Sequence, residues 1–110
     1  MLKKKLNIAI IGATGYTGLD LVFFLSRHPR AKICYLCATK KIGKNINFFD
    51  KRIKKRLPKI SSINNINWSI LDVVFLSLPN GEAQKIVKKK YFISKKIKFI
   101  DIYADFRLTN

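Results

Sequence analysis

Four apolar runs of strand length interrupt a chain that is otherwise polar and basic, and a stretch with helical spacing separates the first two. Leu6 to Ile11 (LNIAII) is rich in β-branched residues and stops at Gly12, as a strand buried in a parallel sheet does. From Tyr16 or Thr17 to Arg27, Leu19, Val22 and Phe23 recur at helical spacing, and no Gly or Pro follows Gly18. His28-Pro29 ends this helix, because proline drives its predecessor out of the helical region. Leu21, Phe24 and Leu25 make the helix more apolar than one sheet face requires, so it calls for further cover. Lys32 to Ala38 (KICYLCA) predicts a second strand. Thr39 to Asn67 is polar and basic, and one irregular helix is expected before Pro58, with Phe48, Phe49, Ile53 and Leu57 turned inward. Asp72 to Leu78 (DVVFLSL) predicts a buried strand. The turn Pro79-Asn80-Gly81 can cap a helix from Glu82 to about Lys90, and Ile97 to Ile102 (IKFIDI) closes the series. The alternation predicts an α/β fold: a Rossmann-like parallel sheet with right-handed crossovers and helices on both faces.

Composition narrows this picture. With 110 residues the chain is one domain or part of one, and 48% apolar content is enough for a modest core. A formal net charge of +17 raises the question of nucleic acid, for which clustering is the test. The cations are spread over Lys3 to Lys5, Lys40 to Lys59 and Lys85 to Lys98, among many Ile and Asn residues, all with AT-rich codons. No nucleic-acid motif accompanies them, so base bias is the expected origin and no nucleic-acid partner is expected. The apolar run after Lys3 to Lys5 reaches Gly12 too soon for a signal peptide, and no stretch approaches membrane-spanning length. A cytoplasmic location is expected, with no membrane partner. Cys34 and Cys37 have CxxC spacing but lie inside an apolar run without a second ligand pair, which favours small core residues over a redox pair or a metal site.

Candidate chemistry concentrates in Gly12-Ala13-Thr14-Gly15-Tyr16-Thr17-Gly18, between the first strand and the first helix. Gly12 and Gly15 suit a tight turn with unusual dihedrals and a close approach of pyrophosphate; Gly18 suits close packing of helix on strand. The helix start points free N–H groups and its positive dipole end at the loop, which favours an anion. The alternative is a glycine-rich turn with no ligand. The loop lacks the Gly-Lys-Ser/Thr ending of a triphosphate-binding loop, so a dinucleotide is the better candidate. After the second strand, where an acidic residue would accept hydrogen bonds from the NAD ribose, stand Ala38-Thr39-Lys40-Lys41. A hydroxyl and ammonium groups suit a 2′-phosphate, so NADP (NADPH) is preferred over NAD, unless Lys40 and Lys41 merely belong to the general lysine excess.

Several separated segments together resemble the N-acetyl-gamma-glutamyl-phosphate reductases, a branch of the semialdehyde dehydrogenases. They are Ile11 to Gly18, His28-Pro29, Tyr35-Leu36, Asp72 to Gly81, and Ile100 to Leu108 with its Ala-Asp-Phe-Arg. The resemblance runs over nearly the whole chain. It implies an oxidoreductase of arginine biosynthesis that reduces N-acetyl-gamma-glutamyl phosphate to the semialdehyde and phosphate with NADPH. Position by position, it assigns the pyrophosphate to the glycine loop, the adenosine phosphate to Thr39 and Lys40, and the nicotinamide side to Leu78, Pro79 and Asn80. Arg107 would serve the substrate or nicotinamide pocket, or instead shape its loop through a salt bridge with Asp105 or Asp101. Tyr103 and Asn80 depart from the family's serine and histidine. The family's cysteine nucleophile and histidine base fall past Asn110, and neither Cys34, Cys37 nor His28 stands in their place. The resemblance therefore implies the N-terminal NADP-binding portion of a longer homo-oligomeric protein, without catalytic residues and inactive alone. A stand-alone nucleotide-binding regulatory module, a related aspartate or aminoadipate semialdehyde dehydrogenase, and a basic nucleic-acid binder are the competing readings.

Overall fold

The computed structural model describes residues 4–79, 85 and 96–102. Strands β1 (Leu6–Ile11), β2 (Ala31–Cys37), β3 (Ile60–Ser61), β4 (Val73–Leu76) and β5 (Lys98–Asp101) form one sheet in the order β3-β2-β1-β4-β5. Every pairing in it is parallel. Helix α1 (Tyr16–Ser26) links β1 to β2. The chain winds outward from β1 through β2 to β3, then crosses back to β4 and β5, so the winding reverses between β1 and β4. That reversal splays the loops apart at the carboxyl ends of the strands and opens a crevice there.

β1 sits at the centre with its last four residues buried, as its continuous apolar run requires. β2 carries an irregularity that the sequence pattern does not announce. Ile8 pairs with Ile33 and Ala9 with Tyr35, so Cys34 is an extra residue in the ladder. The bulge brings Leu36 onto the same face as Ala31 and Ile33, where strict alternation would have turned it to the other side. On that first face Ile8, Ile10, Ile33 and Leu36 pack with Val22 of α1 and with Ile46, Ile53 and Ile60. On the second face Ala9, Ile11, Cys37, Val74 and Leu76 pack with Ile66, Trp68, Leu71 and Ile97. Both cysteines are free thiols; Cys37 belongs to this second layer and Cys34 packs partly against it.

The single irregular helix expected between Thr39 and Asn67 does not form. In its place are three 3-10 turns, at Ile46–Phe48, Ile63–Asn65 and Trp68–Ile70, together with β3. Local competition explains the difference. Lys41 and Gly43 take positive φ (63° and 91°). Ser62 and Asn67 accept hydrogen bonds from the backbone N–H groups of Asn64 and Ser69, offering the chain turns instead of a continuous helix. Of the inward positions, Ile53 is buried and Phe49 and Leu57 are partly buried, but Phe48 points outward and is 68% exposed. The surplus apolar positions of α1 divide similarly: Leu21 and Leu25 pack against the core, whereas Phe24 is 63% exposed. Arg52 pins the 46–57 segment to α1, pairing with Asp20 at 2.7 Å and Asp50 at 2.6 Å while its guanidinium lies 4.5 Å from the centre of the Phe23 ring. The helix expected from Glu82 to about Lys90 lies outside the described residues but for Lys85, which is helical.

Candidate functional site

The three glycines of the loop after β1 serve different ends. Gly12 has φ +87°, and a Cβ there would sit 2.1 Å from the Ser77 carbonyl oxygen. A Cβ on Gly18 would sit 2.1 Å from the Gly12 carbonyl oxygen. Both positions are therefore glycine because the chain passes itself too closely for a side chain. Gly15 is otherwise: its φ of −75° and ψ of 168° are open to any residue. A Cβ on it would meet only the Gly12 carbonyl oxygen, at an ordinary 3.7 Å. Nothing in the protein's own packing requires a glycine there.

The loop is held at both ends. Gly12 and Ala13 donate backbone N–H groups to the Cys37 carbonyl at 2.9 and 3.0 Å, and Ser77 donates to the Ile11 carbonyl at 2.8 Å. The first α1 bond runs from the Leu19 N–H to the Gly15 carbonyl, 2.8 Å, so the N–H groups of Tyr16, Thr17 and Gly18 precede any intrahelical partner. Gly15 has no side chain to cap them, and the first turn carries no acidic residue. The helix end presents donors and positive potential to whatever lies at the loop.

What lies there is a cleft of about 550 Å³ at the carboxyl ends of β1, β2 and β4. Gly12 and Thr14 line one side, Thr39 and Ile42 another, and Leu78 closes it from the β4 side. Of the residues singled out from sequence, Gly12, Thr14, Thr39 and Leu78 meet in this cleft. Ala13 and Gly18 are buried in the fold of the loop, and Thr17 is half-buried. Gly15, Tyr16, Lys40 and Pro79 are exposed outside the lining. Asn80 and Arg107 lie outside the described residues.

The cleft also takes residues that sequence reading missed: Ile42, Cys37, and Ser62, Ile63 and Asn64, which follow β3. Their only signal is a two-residue strand, Ile60–Ser61, whose pairing with Leu36 and Cys37 brings them to the crevice. Ile42, 52% exposed, lines the cleft directly after Lys41, which adopts the left-handed conformation. Among the described residues the lining contains no carboxylate. The Cys37 thiol is pushed up from its ordinary value by burial, against a smaller opposing effect of the Ser61 hydroxyl 3.8 Å away. It is thus protonated at neutral pH and unsuited to be a nucleophile. The His28 imidazole accepts a hydrogen bond from the Arg30 backbone N–H at 3.1 Å, a local bond in the turn after α1.

A parallel sheet whose winding reverses beside its central strand, with a glycine turn and a helix start opening into the crevice, defines a dinucleotide-binding protein of the Rossmann class. More narrowly, residues 7–110 match the semialdehyde dehydrogenase NAD-binding domain, and the chain belongs to that family. It is 44% identical over 107 residues to an N-acetyl-gamma-glutamyl-phosphate reductase of Ehrlichia ruminantium (strain Gardel), a match covering 94% of this chain and 30% of that protein. It is 34% identical over 109 residues to a probable chloroplastic N-acetyl-gamma-glutamyl-phosphate reductase of Arabidopsis thaliana, covering 98% of this chain and 26% of the relative. This chain thus spans less than a third of the length of these relatives. Among solved structures, aspartate semialdehyde dehydrogenase with NADP from Candida albicans superposes with a TM-score of 0.66 at 24% identity, over 89% of this chain and 29% of that one. That likeness confirms the fold.

Proposed function

We propose that this chain is the cofactor-binding part of an NADPH-dependent reductase that converts N-acetyl-gamma-glutamyl phosphate to N-acetylglutamate semialdehyde and phosphate. The observation that carries the proposal is Gly15: an exposed glycine at the N-cap of α1, in the loop whose Gly12 and Thr14 line the crevice, that the fold itself does not need. The space that a side chain would fill, next to the uncapped start of α1, fits a pyrophosphate. Gly12 and Gly18 fold the loop, and Gly15 leaves it open. Thr39 and Lys40, with no carboxylate in the cleft lining among the described residues, suit the 2′-phosphate that distinguishes NADPH. Ile42 and Ile63 offer the adenine apolar walls, and the family resemblance assigns Leu78, Pro79 and Asn80 to the nicotinamide side.

Bound there, the cofactor supplies a hydride for reducing the acyl group. The residues of this chain bind and orient. Arg107 is assigned to the substrate or nicotinamide pocket by the family resemblance, and a guanidinium following the last strand suits a phosphate. The nucleophilic cysteine and the histidine base that the resemblance implies have no counterpart in Cys34, Cys37 or His28. This 110-residue chain is accordingly expected to bind cofactor without turnover. Calorimetric titration with NADPH and NADH tests the reading. The expected result is NADPH binding at least about tenfold tighter than NADH, the effect of one good charge-assisted phosphate contact. No binding of either nucleotide, or preference for NADH, overturns it.

A further inference from the structure

Beside the amino ends of β1 and β2 and along the 45–59 segment that leads into β3, three hollows of about 330, 210 and 810 Å³ adjoin one another. Ser26 and Lys55 line both the first and second, and Lys55 and Arg56 both the second and third, so the three are neighbours along one trough-like surface. Its walls carry Lys5, Lys32, Lys54, Lys55, Arg56 and Lys59, with Arg27 and Arg52 at one end, and among the described residues no Asp or Glu lines it. Arg52 is engaged by Asp20 and Asp50. The others come from segments far apart in sequence: the residue before β1, the end of α1, the start of β2, and the 54–59 stretch. Dispersed along the chain, they are gathered by the fold.

We propose that this trough binds single-stranded nucleic acid through its phosphate backbone. Cations held together on one surface repel one another, and a linear polyanion relieves that repulsion by displacing counterions. A compact anion would engage only a few of them; a strand of phosphates can follow the trough. Exposed aromatic rings stand on the segments that form it, outside the lining itself, and favour nucleotides over an acidic polypeptide. Phe24, 63% exposed, contacts the lining residue Phe23 edge to face at 5.2 Å, and Phe48, 68% exposed, follows the lining residue Asn47. Such rings are platforms on which unpaired bases stack. Because the trough shares no lining residue with the crevice, nucleic acid and dinucleotide can bind together, and the inference stands independently of the proposed reductase.

Fluorescence anisotropy of the protein with a labelled single-stranded oligonucleotide at near-physiological salt tests it. The logarithm of the binding constant should fall with the logarithm of salt concentration at about −0.7 per phosphate engaged, thus a slope of roughly −4 for six contacts. Lys54→Glu with Arg56→Glu should weaken binding by at least about tenfold, whereas Lys96→Glu with Lys98→Glu, an equal charge change at the far strand β5, should have less than about threefold effect. Circular dichroism confirms that both variants are folded. Equal weakening by the two pairs would show that net charge alone is felt. That result, absence of binding at near-physiological salt, or equal or tighter binding of polyglutamate overturns the proposal.

Discussion

Gly15 and Gly18 stand three positions apart in one motif and call for opposite outcomes on substitution. Gly18→Ala drives a methyl group into the Gly12 carbonyl, where the neighbour is backbone and cannot yield cheaply. We expect it to lower stability by about 2 kcal/mol or more, as overpacking does, measured by urea unfolding. Gly15→Asp places a good N-cap residue at a position whose dihedrals already suit one. Stability should hold or rise by up to about 1 kcal/mol while NADPH binding is lost, because the carboxylate occupies the place assigned to pyrophosphate. Retained NADPH affinity in a folded Gly15→Asp protein would refute the site. Cys37 adds a pH dependence. Burial raises its folded-state pKa above the unfolded value, so the stability linked to it is complete below the ordinary thiol range of about 8.5 and declines as pH rises through the folded value. Unfolding midpoints across alkaline pH should show that decline in the native protein and less of it in Cys37→Ala.

At the scale of elements, β1, α1, β2 and β4 are readable from sequence because each buries a periodic apolar set. β5 ends within a residue of its expected bounds. The 39–67 segment is not, since its fold depends on where single residues land in the tertiary core. Ile46, Ile53 and Ile60 are almost wholly buried there, and their spacing of seven is one that a helix would also place on a single face, so the pattern alone does not separate a helix from the turns that form. Ile53→Ala should cost about 2 to 4 kcal/mol, the usual range for emptying such a site, whereas Phe48→Ser at the exposed neighbouring turn should stay within about 0.5 kcal/mol. Comparable losses for both in chemical denaturation would mean that Phe48 is packed after all. The same segment decides much of the candidate site. β3 is only Ile60–Ser61, too short to stand out from its surroundings, yet it delivers Ser62, Ile63 and Asn64 to the cleft. The bulge at Cys34 was equally hidden, for a CxxC pattern reads as alternation until the partner strand shows an extra residue.

For the molecule as a whole, a formal charge of +17 on 110 residues is a standing self-repulsion. Screening should relieve it, so stability at neutral pH should rise with sodium chloride from about 10 mM to about 200 mM, a range over which the Debye length falls from about 30 Å to below about 8 Å. A flat or falling urea midpoint over that range would indicate that the cations are already neutralised within the fold. Cofactor binding adds a second stabilisation, about 2.7 kcal/mol when NADPH is present at a hundred times its dissociation constant. The two effects separate cleanly, since Gly15→Asp should abolish only the second.

Sequence alone determined the parallel α/β class, the glycine turn between β1 and α1, and the absence of an acidic residue after β2. These follow from short-range rules: apolar periodicity, the special dihedrals of glycine, and residue chemistry at a strand end. Tertiary structure alone decided which glycine is spare, which side chains face the crevice, and that lysines and arginines remote along the chain share one trough. Those properties depend on distances between segments, and such distances exist only once the strands have paired and the core has closed.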